Sequence, residues 1–223
     1  MKMQETKKRK TQSETTRRMV TTAMFSAITA LLAFTPLGMI QLPPPLPAVT
    51  LVHIPVILAA LVETSAVGLT VGLVFGVCSL IRAWESSMLG LTLFFRNPLV
   101  SVLPRLIVPL AAAAVYFLWR KYIRQNAVTA KAGVALAAVS GAVTNTVCCL
   151  GMLLLLYGND LNEMIQGMHA GTALNWLVVV VGIPNGITEA IVAAVLVPVL
   201  KTAIEAVQRR AGSRTVSSKE RNG

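Results

Sequence analysis

Apolar residues along this chain come in long runs separated by short polar breaks, with little strict alternation. The runs cover roughly 19–34, 51–62, 66–82, 98–119, 133–157 and 173–200. Runs of this length predict helices, and at about 1.5 Å per residue most can cross a hydrocarbon core of about 30 Å. The pattern therefore predicts an all-α integral membrane protein with six transmembrane helices. Between the first two runs lies QLPPPLPAVT (41–50), with four prolines in five positions and no charge. Such a segment cannot be helical and is expected to be an ordered outer loop. The third run places Gly68, Gly72 and Gly76 on one ridge, a signal for close helix packing. After it, Trp84, Glu85 and GLTLFFRN (90–97) read either as a lid or as an interfacial aromatic belt. Residues 1–18 have no apolar periodicity and are expected to form an unstructured basic tail, with a second basic tail at 202–223. The membrane domain is thus 19–201.

Composition narrows the class. Of 223 residues 55% are apolar, and the mean hydropathy is +0.69, which excludes an ordinary soluble domain. Cys78, Cys148 and Cys149 all fall inside apolar runs and read as small packing residues. The first run continues past Ala30 with no small-residue cleavage site before Pro36, so it is expected to be a retained helix.

A net charge of +11 could suggest nucleic acid, but its placement argues otherwise. Of the 20 Lys and Arg, seven lie in 1–18, four in 120–131 and six in 201–223. These residues punctuate apolar runs and cover no folded face, so no nucleic-acid partner is expected. Six spans put the 17 basic residues of those three segments on one side of the membrane. The positive-inside rule makes that side cytoplasmic, with both termini on it.

The chain has no G-x-x-x-x-G-K-[ST] and no H-E-x-x-H, and its two histidines and scattered acids suggest no metal cluster. No enzyme activity, metal or cofactor is expected. Instead, a few polar residues interrupt the apolar runs. Glu189 lies twelve residues before Lys201, about 18 Å deep. Asn185 is one turn away on the same face. An acid near mid-membrane is costly unless it meets a cavity or a partner, although interhelical polar contact is the plainer reading. Arg105 is the sole cation inside a span, about 12 Å from the outer end; snorkelling would also account for it. Asn145 lies two-thirds of the way out along the fifth span, and Asp160 and Glu163 are expected in a polar loop after it. Trp84, Asn97, Asn175 and Trp176 fall near the mouth, and His53 near the outer rim. Convergent polar groups in an apolar setting are how a small polar ligand is held. On the first span, Ala23 and Ala27 form a small-xxx-small pair, with Ser26 and Ala30 as a second pair beside it.

With these residues in view, the chain resembles the substrate-binding (S) components of energy-coupling-factor (ECF) vitamin transporters. The carriers are Ala23-x-x-x-Ala27, TLVHIPVILAA (50–60), RNPLVSVLPRL (96–106), TNTVCCLG (144–151) and NGITEAIVAAVLVP (185–198). The last three together are similar to the pantothenate-type branch. The resemblance implies a six-helix S component in a bacterial cell membrane, with a vitamin pocket near the outer face. It further implies docking of the alanines on a membrane T component that carries two ATP-binding subunits. Ala23 and Ala27 match that motif, and Ala30 is expected to extend the small face. The S component would then reorient in the bilayer to deliver its substrate, with the energy supplied by its partners.

The substrate-binding set expected from this reading is Trp84, Asn97, Arg105, Asn145, Asn175, Asn185 and Glu189. Arg105 suits the carboxylate of pantothenate; Asn145, Asn185 and Glu189 suit its hydroxyls and amide. Riboflavin or a folate is the alternative, set back by an aromatic content of 5%, with Trp84, Phe94, Phe95, Tyr157 and Trp176 expected at the mouth. Arg105 and Glu189 could also neutralise each other. Two other classes compete: a self-sufficient proton-coupled transporter using Glu189, and a structural membrane subunit with the polar set as interhelical glue.

Overall fold

The computed structural model describes residues 2–40, 49–85, 91–166 and 172–221. The proline-rich loop lies outside the described residues except for Val49 and Thr50. Helix α1 (Lys2–Phe34) includes the basic segment expected to be unstructured. It buries Phe25, Thr29 and Ala33, one residue per turn, and leaves Met24, Ile28 and Leu31 exposed. Both ends of this apolar stretch are tied to the bundle. Arg17 pairs with Glu63 at 3.2 Å, and Arg82 Nη1 donates to the Ala33 carbonyl at 2.7 Å.

A 3-10 turn (Pro36–Gly38) leads to a two-rung antiparallel ladder that pairs Met39 with Thr50 and Ile40 with Val49. Helix α2 (His53–Val62) follows, and His53 through Leu61 are all buried. Ten residues extend only about 15 Å. It cannot span alone; it forms the centre of the main core, with α1, α3, α5, α6 and α8 around it. Among the described residues four helical segments are long and apolar enough to cross a membrane: Ser65–Glu85, Pro98–Tyr122, Ala127–Ile165 and Ala173–Gln208.

Helix α3 (Ser65–Glu85) carries the glycine ridge, and the expected packing role is met. A Cβ on Gly68 would come within 2.6 Å of the Ala60 Cβ, and one on Gly76 within 2.8 Å of the Val102 Cα. On Gly72 it would reach 2.6 Å from the Arg105 carbonyl oxygen. That carbonyl is free because its normal helical donor, four residues on, is Pro109, which has no N–H. Gly72→Ala is therefore expected to lower the thermal midpoint in detergent, by overpacking worth about 1–3 kcal/mol. Gly151→Ala, whose added methyl group meets nothing within 4 Å inside α6, is the matched control and should leave the midpoint unchanged or slightly raised.

The fourth expected span is broken. After a 3-10 turn (Leu91–Arg96) come α4 (Pro98–Ser101) and α5 (Leu103–Tyr122), with Val102 between them. Asn97 caps α4 by accepting from the Leu99 N–H at 2.9 Å. Pro104 explains the break: it restricts Leu103 and supplies no N–H to the Val100 carbonyl. Helix α6 (Ala127–Gln166) continues past a kink at Tyr157 (φ −133°, ψ 22°). Asp160 and Glu163 are thus helical, where a loop was expected. The last expected span divides into α7 (Ala173–Trp176), a π-helical turn (Leu177–Gly182) and α8 (Ile183–Arg221).

Candidate functional site

The site is built on the helix break. With no proline N–H to occupy it, the Val100 carbonyl accepts from Arg105 Nη1 at 3.0 Å. The same nitrogen lies 2.7 Å from Cys149 Sγ on α6. Phe75 of α3 and Phe95 of the 3-10 turn flank the guanidinium, with ring centroids 5.3 and 5.4 Å from its carbon. Such contacts favour a cation most where water is excluded. Arg105 is only 7% exposed, so it does not snorkel out of the bundle.

Asn145 is buried one turn before Cys149, its Oδ1 4.0 Å from the thiol sulfur. Opposite, Glu189 on α8 is 5% exposed, and one of its oxygens accepts from the Thr50 N–H at 3.3 Å. Thr146 of α6 also faces this carboxylate. Arg105 and Glu189 lie within electrostatic reach of one another but form no ion pair among the described residues. Neutralisation by direct pairing is therefore excluded. Asn185, one turn before Glu189, has a buried Oδ1 without a protein partner, as does Arg105 at Nε. Unmatched buried polar atoms cost about 1–3 kcal/mol each, so their presence in one region is informative.

Four of the seven expected site residues, Arg105, Asn145, Asn185 and Glu189, are thus buried or half-buried within the helices that meet here. The other three differ. Trp84 is 64% exposed and lies under Arg96, 5.2 Å from ring centroid to guanidinium carbon. Asn97 uses its side chain to cap α4 and to donate to the Tyr157 hydroxyl at 3.0 Å. Asn175 is exposed on α7. In the 3-10 turn Leu93 is exposed, whereas Phe94 meets the Tyr157 ring at a tilt, Phe95 meets Arg105, and Arg96 Nε donates to the Ala83 carbonyl at 3.0 Å. His53, expected near the rim, is fully buried with neither ring nitrogen partnered.

Thr50, Phe75 and Cys149 were missed by sequence reasoning. Cys149 was accessible, since it follows Asn145 by one helical turn. Phe75 corrects the expectation that aromatic residues sit mainly at the mouth. Thr50 reaches Glu189 across 139 positions and leaves no local signal. On α1, Ala23 and Ala27 are exposed, but Ala30 turns partly inward against the core. The exposed ridge continues through Leu31 instead.

A bundle of membrane-length helices that buries a small set of polar side chains is the form of a membrane protein that handles a small polar solute. Residues 17–201 match the family described as ECF transporter, substrate-specific component, and the chain belongs to that family. It is a multi-pass membrane transport subunit, which points to a non-catalytic role. Membership implies association with ECF T and ATPase components and a vitamin substrate. No curated protein matches the sequence.

Proposed function

We propose that the chain captures pantothenate at the Arg105–Asn145–Asn185–Glu189 cluster and delivers it by reorienting against a T component powered by two separate ATPases. The observation that supports this most is the buried guanidinium of Arg105, held at Nη1 but with Nε free of any protein partner. A carboxylate is the natural complement of such a group, and charge-assisted bonds are stronger than neutral ones. Asn145 and Asn185 offer amide groups for hydroxyls and an amide, and Glu189 offers an acceptor. Trp84, Asn97 and Asn175 are better read as parts of the rim than as direct contacts.

In this reading residues 19–201 form a six-span membrane domain, in which α2 makes the second crossing only together with the extended segment (Val49–Thr50) that leads into it. The tails, 1–18 and 202–223, are cytoplasmic by their positive charge. Ala23 and Ala27 dock on the T component, because small exposed residues allow close helix approach. Phe75 and Phe95 beside Arg105 keep riboflavin or a folate as the substrate alternative. Glu189, buried without an ion pair among the described residues, favours a stand-alone proton-coupled transporter as the second reading.

The test is to purify the protein alone in mild detergent and identify the small molecule it retains or binds. Pantothenate in near-equal amount is the expected result. A flavin or folate would keep the transport class and overturn the substrate. Uptake by the lone protein that collapses with an uncoupler would favour the proton-coupled reading.

A further inference from the structure

A cavity of about 530 Å³ lies at the opposite end of α5 from Arg105, where α2 ends, α5 ends, α6 begins and α8 passes. Each of these segments changes there from apolar to charged: Leu61 to Glu63, Tyr116 to Arg120, Val134 back to Lys131, and Pro198 to Lys201. Four such transitions at one level place the cavity at a membrane surface. No residue of the Arg105 cluster lines it.

Its charges are unevenly matched. Arg120, Lys131 and Lys201 line it together with Glu63 and Glu205. Both carboxylates are already taken, Glu63 by Arg17 at 3.2 Å and Glu205 by Lys201. Arg120 and Lys131 remain exposed and form no ion pair among the described residues. The Tyr116 ring holds Arg120 and Lys201 in one place, 5.7 and 5.5 Å from its centroid. Positive charge is therefore concentrated at a cavity that also has an apolar side, formed by Leu61, Val62, Ala130, Val134 and Pro198, with the neutral polar Gln125 and Thr202 beside it.

We infer that this cavity binds the headgroup of an anionic phospholipid, with Arg120 and Lys131 on the phosphate and the apolar wall against the glycerol and upper acyl chain. A basic pocket between membrane helices at the surface suits that ligand. A free anion would use the cations and leave the apolar wall without purpose. The volume also far exceeds what an inorganic phosphate needs. The lipid would join the ends of α5 and α6 across the turn at 123–126, and would do so whatever solute the Arg105 cluster binds.

The test uses the full chain in detergent, titrated with phosphatidylglycerol or phosphatidylcholine and read by native mass spectrometry. Phosphatidylglycerol should be retained in preference to phosphatidylcholine. The double change Arg120→Gln with Lys131→Gln should weaken its binding about thirtyfold, the scale expected for two basic groups at an anionic surface. Lys121→Gln with Arg124→Gln removes the same charge from residues that do not line the cavity, and should leave binding within about twofold. Equal loss in both pairs would mean diffuse attraction and overturn the site. So would equal retention of the two lipids, or displacement of phosphatidylglycerol by inorganic phosphate.

Discussion

Ala27→Leu, and likewise Ala23→Leu, is expected to abolish vitamin uptake in cells while leaving vitamin binding to the isolated protein unchanged. The structure separates the two functions physically. Ala23 and Ala27 lie exposed on one face of α1, whereas Phe25, Thr29 and Ala33 on the other face pack into the bundle. A leucine at 23 or 27 meets no core atom, so the fold and the Arg105 cluster should persist. It would hold a partner helix away at a contact that depends on close backbone approach. Overpacking of this kind costs about 1–3 kcal/mol, so association with the T component should fall about tenfold or more. Uptake and co-purification of the T component measure docking, and calorimetry on the isolated protein measures binding. If vitamin affinity fell in parallel with uptake, the alanine face would not be a separate docking surface. Ala30→Leu provides a contrast: Ala30 packs partly against the core, so this change should lower stability as well as uptake.

Arg105→Ala is expected to weaken an anionic vitamin by roughly tenfold to somewhat over a hundredfold, the equivalent of about 1.5–3 kcal/mol for hydrogen bonds to a charged group. Arg105→Lys should recover only part of this, since an ammonium cannot reproduce the planar fork that meets a carboxylate, nor the guanidinium's contact with the Phe75 and Phe95 rings. Removing the guanidinium also frees the Val100 carbonyl and removes the contacts with Phe75 and Phe95, so some loss of stability will accompany it. The thermal midpoint without ligand separates that effect from binding. A neutral analogue of the vitamin, lacking the carboxylate, should bind wild type and Arg105→Ala nearly equally. Unchanged affinity for the anionic form would remove Arg105 from the site.

The membrane class, the positions of the long helices and the glycine ridge could all be read from the pattern of residues. Runs of apolar residues and small residues at four-residue spacing are local signals, and local geometry alone converts them into helices and contact faces. The break at Val102 was also available in principle, because Pro104 acts on its immediate neighbours. It was missed because apolar character continues through it. The extension of α6 to Gln166 was missed for the opposite reason: Asn159, Asp160 and Asn162 favour a loop, yet Leu161 and Ile165 are buried and hold the segment helical.

The candidate site divides in the same way. Arg105, Asn145, Asn185 and Glu189 stood out because charged and amide groups are costly in apolar surroundings, and that cost is visible in sequence. Their partners were not visible. Whether Arg105 meets Glu189 or Cys149, and whether Trp84 or Phe75 supplies an aromatic face, depends on how helices far apart in the chain rotate against one another.

Transfer from water to lipid acts on each residue where it stands, so the order of residues alone sends this chain into a membrane, sets where its helices run and marks the polar groups that must find company there. Which company they find is set by the folded packing: Phe75 and Cys149 for Arg105, the Thr50 N–H for Glu189, and the exposed flank of α1 for Ala23 and Ala27. Those choices follow from close packing between helices, which depends on shape along whole interfaces and has no counterpart in any single stretch of the chain.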